Sequence, residues 1–128
     1  MTFKKILLIF SLFLLLTANA SCKKEEDSNI LYINTDRGAV VRGVVENRKI
    51  LDIPSTVVID GKERNVIEIY SKAFFGNIKL EKIVFPETLT NIGDSSFKGC
   101  INLREVTLPS NLIHLGKSAF EDNSSILN

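Results

Sequence analysis

The residues of this chain that could carry chemistry are few and scattered. There is one histidine, His114, and there are two cysteines, Cys22 and Cys100. A histidine acting as a general base needs a partner within hydrogen-bonding reach, and the sequence indicates none for His114. The sequence contains no CxxC pair, HExxH motif or His–Cys cluster. It therefore predicts neither a metal site nor another cofactor, and it predicts that the protein is not an enzyme.

Cys22 is the residue for which a specific reaction is expected, because of what precedes it. Lys4 and Lys5 come first, then an apolar run over residues 6–16 that only Ser11 interrupts, and then small residues. This order is typical of a secretory signal peptide, which we assign to residues 1–21. The apolar run is shorter than the roughly 20 residues that cross a bilayer.

Two processing routes remain open at the end of this segment. A cysteine directly after Ala20-Ser21 resembles the lipobox of bacterial lipoproteins, in which the thiol is acylated and anchors the protein to the membrane. Asn19 departs from that pattern, which prefers leucine there. The alternative is cleavage after Ala20 at the A-x-A site formed by residues 18–20, which would release a secreted protein.

The charged residues after Cys22 favour lipidation. Residues 23–27 read KKEED, and such a run beside the anchor cysteine resembles the surface-export signal of outer-membrane lipoproteins in Bacteroidetes-type bacteria. Residues 22–29 are then a lipid-anchored tether, too polar to fold alone. Without residues 1–21 the chain keeps 14 of its 16 basic residues and all 15 acidic ones. That balance predicts no nucleic-acid partner.

An internal repeat organises the rest of the chain. Phe74, Phe97 and Phe120 recur every 23 residues, a period within the roughly 20–29 residues of leucine-rich repeats. Further apolar, proline and glycine positions share the interval: Gly76–Gly99, Leu80–Leu103, Ile83–Val106, Phe85–Leu108, Pro86–Pro109, Leu89–Leu112, Ile92–Leu115 and Gly93–Gly116. Stacked coils can bury such positions against each other, which no single coil can do.

Each part of the repeat predicts a local structure. Val106 and Leu108 alternate as the inward residues of a strand, and Leu112 and Leu115 point inward on the return. Gly116 is expected to permit a tight bend. Residues 118–120 are expected to form a short helical or 3₁₀ turn. The fold class is therefore mainly β with short helical turns.

Specific segments carry a family resemblance that covers roughly residues 50–128. Residues 71–74 (SKAF), 99–103 (GCINL) and 106–112 (VTLPSNL) resemble the BspA-like leucine-rich-repeat family. Membership would imply a short right-handed solenoid. It would also imply a bacterial surface protein, since the better-understood members adhere to host matrix proteins or to other cells.

Two β-hairpins are expected ahead of the regular repeats. Asp60-Gly61 is a strong two-residue turn signal, so residues 57–59 should pair with residues 66–69. Leu31 to Ile33 and Ala39 to Val41 are strand candidates on either side of a turn at residues 36–38. Residues 30–69 are therefore assigned to a hairpin-rich N-terminal cap, and residues 70–128 to the repeats.

The remaining polar positions are expected to be structural. His114 takes the exposed repeat position of Asn91, and Cys100 is expected to pack as a small apolar side chain. Residues 94–96 and 122–125 are expected to be turns. Asn123-Ser124-Ser125 matches the N-glycosylation pattern, but the bacterial anchor predicted at Cys22 argues against glycosylation there.

The candidate binding surface is the outward face of the strands. Its positions are Lys82 and Val84 in one coil and Glu105 and Thr107 in the next. We expect an adhesin-like module that binds a host or bacterial surface protein. The alternative is a structural envelope protein, or a remnant of a longer repeat protein, without its own ligand. The last repeat is incomplete, which also predicts self-association through an open C-terminal end.

Overall fold

A computed structural model describes residues 28–126 of the chain. The predicted signal peptide, Cys22 and most of the tether lie outside the described residues. The described range contains nine β-strands, which are β1 (Ile30–Asn34), β2 (Ala39–Val44), β3 (Ile50–Asp52), β4 (Thr56–Ile59), β5 (Lys62–Ile69), β6 (Lys82–Val84), β7 (Asn91–Ile92), β8 (Glu105–Thr107) and β9 (His114–Leu115).

Three stacked coils of chain form a short solenoid, which confirms the predicted repeat. We number them coil 1 (residues 49–80), coil 2 (81–103) and coil 3 (104–126). The first strands of the coils form a three-stranded parallel sheet in the order β3-β6-β8. The return strands β5, β7 and β9 are also parallel and belong to a larger sheet. Coil 1 is longer than the others because it contains the β4–β5 hairpin.

The core consists of ladders of equivalent residues between the two sheets. Leu51 and Ile83 are 2% exposed, and Val106 of coil 3 is half-buried beside them. Ile69 and Ile92, on the return strands β5 and β7, are fully buried.

The predicted alternation holds for Ile83 and Val106. Leu108 and Leu115, which were predicted to point inward, are instead 43% and 47% exposed, because the described residues contain no further coil that covers coil 3. Among residues 28–126, the core extends from Ile30 to Ile126.

Three phenylalanine rings form the longest side-chain ladder. The ring centroids of Phe74 and Phe97 lie 5.0 Å apart, and those of Phe97 and Phe120 lie 5.1 Å apart. Neighbouring strands in a sheet are spaced by about 4.8 Å. The rings therefore repeat at the distance that separates the coils.

The hairpins at the N-terminus are present, with one change of register. β1 and β2 pair antiparallel across the expected turn, and β2 then runs parallel to β5. Asp60 and Gly61 both have positive φ, of 53° and 73°, as a two-residue hairpin turn requires. However, β4 pairs with Lys62 to Asn65, and not with residues 66–69 as expected. Residues 66–69 are instead inside the solenoid, where they contact β2 and β7.

The expected short helical turns are absent from residues 28–126. The turns after β5, β7 and β9 contain isolated hydrogen bonds between residues three apart, such as Ala119 N to Gly116 O at 3.2 Å. They do not extend into a helix because Lys72, Ser95 and Ser118, one in each turn, have φ of 53° to 59°. A left-handed residue interrupts a right-handed helix. No helix within the described range has the length and apolar character needed to cross a membrane.

Gly116 has a different role from the expected one. Its φ is not positive, so no bend there requires glycine. A methyl group on Gly116 would lie 2.4 Å from the carbonyl carbon of Gly93 in the coil below. A methyl group on Gly93 would likewise lie 2.6 Å from the amide nitrogen of Ser71. These glycines are therefore needed where the backbones of successive coils approach most closely.

Candidate functional site: the outward face of the three-stranded sheet

The candidate face is built by alternate residues of β3, β6 and β8. Side chains of a strand point to opposite sides of its sheet in turn, so the residues that flank Leu51, Ile83 and Val106 point away from the core. The register places them in two rows across the coils. The first row is Ile50, Lys82 and Glu105, and the second is Asp52, Val84 and Thr107.

The four residues predicted from the sequence lie on this face together. Lys82 pairs with Glu105 in the register, and Val84 pairs with Thr107. Lys82 is half-buried, and the other three residues are exposed. Their role in binding a ligand stays a prediction.

Ile50 and Asp52 belong to the same face and were missed by the sequence reasoning. Because the β4–β5 hairpin lengthens coil 1, these residues fall 32 positions before Lys82 and Val84, and a search at 23 residues does not find them. A usable signal was present in the strand itself. Leu51, Ile53 and Pro54 repeat the pattern of Ile83, Phe85 and Pro86, which marks Ile50 and Asp52 as outward positions.

The face combines apolar and charged groups. Ile50 is 62% exposed and Val84 is 41% exposed, although both are large apolar side chains. Lys82 Nζ lies 2.9 Å from Glu105 Oε2. At the edge of the face, Lys49 Nζ lies 3.0 Å from Glu81 Oε1. The face therefore offers two exposed apolar side chains beside charges that are paired between coils.

The other candidate residues have structural roles. His114 is exposed on β9, as expected. Cys100 is fully buried, and its thiol donates a hydrogen bond to the Phe74 carbonyl oxygen at 3.1 Å. Burial raises the pKa of this thiol above its ordinary value. Asp94 accepts a hydrogen bond from the amide of Lys117 in the next coil at 2.8 Å. Among residues 28–126, no group of three or more His, Cys, Asp or Glu residues could hold a metal ion.

A cavity of about 450 Å³ lies away from this face, between the turns of the two hairpins. Asp36 and Asp60 line it together with Lys62 and Arg64. The Arg64 guanidinium donates to the Thr35 carbonyl oxygen. Its Nε atom has no partner in the described part of the chain, but it is shielded from solvent. Because that donor is shielded, it does not mark the cavity as a ligand site.

Comparison with known proteins agrees with the geometry. The family model for the BspA type leucine rich repeat region matches residues 59–128, with six copies of its unit. The match covers more than half of the chain. No curated protein matches it.

Several solved structures share the fold. A leucine-rich repeat protein from Bacteroides ovatus superposes with a TM-score of 0.74 at 24% identity, over 83% of this chain and 29% of its own. A leucine rich cell surface protein from Faecalibacterium prausnitzii superposes with a TM-score of 0.68 at 27% identity, over 83% of this chain and 30% of its own. A leucine-rich repeat protein from Bacteroides capillosus gives 0.57 at 19% identity, over 80% of this chain and 93% of its own. The chain thus spans less than a third of the first two proteins.

Proposed function

The chain belongs to the BspA-type leucine-rich-repeat family, and from this premise we propose that it is a surface-displayed, adhesin-like lipoprotein. It binds a protein on a host cell or on another bacterium through the outward face of the three-stranded sheet. Its role is binding and not catalysis. The similar protein from Faecalibacterium prausnitzii is described as a cell surface protein, which supports surface display.

The exposure of Ile50 and Val84 is the observation that carries the proposal. Both residues occupy outward positions in a sheet whose inward positions already fill the core. Protein interfaces commonly combine an apolar centre with a polar rim. Lys82 with Glu105 and Lys49 with Glu81 supply charged neighbours to these apolar groups. The arrangement therefore fits a protein partner better than a nucleic acid or a small polar molecule.

Binding to this face can be tested with matched variants. Ile50→Asp and Val84→Asp each place a charge on the face, at its edge strand β3 and at its central strand β6, without altering the core. Val58→Asp is the control, because Val58 is also an exposed strand residue, 52% exposed, but lies on the β4–β5 hairpin. The wild type and the control should capture the same partner from a panel of host matrix proteins and bacterial surface proteins, and the two face variants should not. Equal capture by all four proteins would contradict the assignment of the face.

Anchoring through Cys22 is a separate part of the proposal. In cells, Cys22→Ser should move the protein from the membrane fraction to the soluble fraction, and protease treatment of intact cells should release the wild-type solenoid. A wild-type protein that is already soluble, with Ser21 at its N-terminus, would show that cleavage follows Ala20. That result would contradict lipidation and leave binding by the sheet face to be judged by its own test.

A structural envelope protein, or a remnant of a longer repeat protein, is the second candidate. The contact of Lys82 with Glu105 favours it, because charges paired within the chain are less available to a ligand. Under this alternative, protease treatment of intact cells would not release the solenoid, and no partner would distinguish the face variants from Val58→Asp.

A further inference from the structure

We propose that the outward face of the larger sheet is a second binding site, that its ligand is a neutral carbohydrate, and that the Tyr70 ring is the platform on which a sugar stacks. We call this surface the return face and define it by Arg42, Glu68, Tyr70 and Asn91. It lies across the core from the three-stranded sheet. The proposal therefore goes beyond the proposed function and does not depend on it.

The strand register brings the side chains of the return face together. Ile69 pairs with Ile92, and both are fully buried in the core. Glu68 and Tyr70 flank Ile69 in the sequence, so their side chains point to the opposite side of the sheet. Glu68 pairs with Asn91 in the neighbouring coil. The return face therefore has an aromatic ring, a carboxylate and an amide on adjacent outward positions.

Tyr70 has a different neighbour on each side. Arg42 lies on one side, because the preceding residue, Val41, pairs with the residue before Tyr70. On the other side, the equivalents of Tyr70 in coils 2 and 3 are Gly93 and Gly116, which have no side chains. Tyr70 is 50% exposed. The position beside its ring in coil 2 is therefore an open shelf, with the backbone of Gly93 as its floor.

The polar groups of the return face are not used by the fold. In the three-stranded sheet, charged side chains one coil apart form ion pairs, as Lys82 does with Glu105 at 2.9 Å. Within residues 28–126, the side chains of the return face form no ion pair or hydrogen bond. Glu68 and Asn91 are nevertheless half-buried. Their hydrogen-bonding groups are therefore positioned by the sheet and available to a ligand.

The chemistry of the return face fits a neutral sugar. The C–H groups of a pyranose ring pack against the electron-rich face of an aromatic ring, and its hydroxyl groups both donate and accept hydrogen bonds. The Glu68 carboxylate accepts, the Arg42 guanidinium donates, and the Asn91 amide does both. Outward residues of one strand are about 6.6 Å apart, and neighbouring strands are about 4.8 Å apart. One sugar ring above Gly93 therefore contacts Tyr70 and reaches Asn91.

Other ligand classes match the return face less well. The Glu68 carboxylate repels the phosphate groups of a nucleic acid. A divalent cation such as Ca²⁺ takes six to eight oxygen ligands, and the return face has one carboxylate beside the cationic Arg42. A sugar without charge uses both the positive and the negative group through its hydroxyls.

Affinity electrophoresis tests the proposal on the protein carrying Cys22→Ser, which prevents lipidation. Native gels contain mannan, xylan, a β-glucan or the acidic polygalacturonan, and migration is compared with that in a gel without polysaccharide. We expect at least one neutral polysaccharide to retard the protein. Tyr70→Ala should then raise the dissociation constant by about tenfold or more, because the stacking surface is lost. Tyr70→Phe, which keeps the ring, should change it by no more than about threefold.

Two controls make the result specific to the return face. Phe75→Ala removes an aromatic ring of similar exposure, 55%, from a turn outside this face, and it should not change the retardation. Ile50→Asp should not change it either, because Ile50 belongs to the three-stranded sheet. Glu68→Gln and Asn91→Ala should each weaken binding by about threefold or more, since each removes a hydrogen-bonding group. These two variants decide the matter if circular dichroism shows that Tyr70→Ala does not fold.

Three results would overturn the proposal. The first is migration that no neutral polysaccharide changes. The second is retardation that folded Tyr70→Ala retains in full, or that Phe75→Ala weakens equally. The third is retardation by polygalacturonan alone, since this would indicate an anion site at Arg42. Loss of partner capture by the three-stranded sheet would leave the retardation unchanged, so the two binding proposals can fail separately.

Discussion

The rings of Phe97 and Phe120, which are 23 residues apart in the sequence, stack with their centroids 5.1 Å apart and their planes 5° from parallel. Aromatic pairs prefer offset-stacked or edge-to-face arrangements over a face-to-face sandwich. Here the spacing of the coils selects a stacked arrangement, because each residue lies directly above its equivalent. Core residues that are 23 positions apart in the sequence are therefore in contact in the structure. A substitution at one core position changes the packing in the neighbouring coils.

The first prediction concerns this ladder. Phe97 is fully buried between Phe74 and Phe120, so Phe97→Ala should lower the free energy of unfolding by about 3–5 kcal/mol. Phe75→Ala is the matched control, because Phe75 is 55% exposed, and it should change stability by no more than about 0.5 kcal/mol. Urea unfolding followed by circular dichroism would measure both. A similar loss in the two variants would mean that the ladder is not the centre of the core.

The sequence predicted the ladders because they depend on one interval. Leu80, Leu103 and Ile126 could be aligned without any knowledge of their conformation. It did not predict the form of the turns, because the left-handed residues there are Lys72, Ser95 and Ser118 and not glycines. Left-handed conformations are usually recognised in a sequence by glycine or asparagine. These residue types therefore did not indicate that the expected helical turns would be interrupted.

The second prediction concerns the close approach of coils at Gly93. Gly93→Ala should destabilise the protein by about 1–3 kcal/mol, because the added methyl group would lie 2.6 Å from the amide nitrogen of Ser71. Gly76→Asp is the control. Gly76 has a φ of 67° with open space around it, and Asp122 already adopts a φ of 59° at the equivalent position. The control should cost less, as judged by thermal unfolding. If Gly93→Ala were the milder of the two, close packing would not explain this glycine.

The third prediction compares Leu103, which lies just before β8, with Glu105 on the outward face of that strand. Leu103→Ala should cost roughly 2–5 kcal/mol, because Leu103 is fully buried. Glu105→Ala should cost no more than about 1 kcal/mol, since its contact with Lys82 is an exposed ion pair and such pairs contribute about 0–1 kcal/mol. Urea unfolding at low and high salt would check both values. Equal losses would show that Glu105 contributes to stability as a buried residue does, which would contradict its assignment to the outward face.

The pairing of Lys82 with Glu105 shows where the sequence reasoning on the site was incomplete. The two residues were selected as separate ligand-facing groups, although opposite charges 23 residues apart must be neighbours in this fold. Lys98 and Glu121 show the same relationship, with 2.9 Å between Nζ and Oε2. Applying the period to charged residues, as well as to apolar ones, would have found both pairs.

The fourth prediction concerns Cys100 and pH. Burial raises the pKa of its thiol, so the folded protein retains this proton more strongly than the unfolded chain, in which a cysteine has a pKa of roughly 8.5. Below that pH both states hold the proton, and the contribution to stability is fully present. As the pH rises further, the unfolded chain loses its proton first, and stability decreases until the folded-state pKa is passed.

Two measurements on the chain carrying Cys22→Ser, in which Cys100 is the sole cysteine, can check this prediction. In the folded protein at neutral pH, the thiol should react with Ellman's reagent only as fast as the protein unfolds. Between about pH 7 and pH 10, the stability of this protein should fall more steeply than that of the same chain with Cys100→Ala. The comparison removes effects common to both proteins, such as the titration of Lys98, whose pKa the contact with Glu121 raises. Fast reaction of the folded thiol, or parallel pH profiles of the two proteins, would show that the thiol is not held protonated in the core.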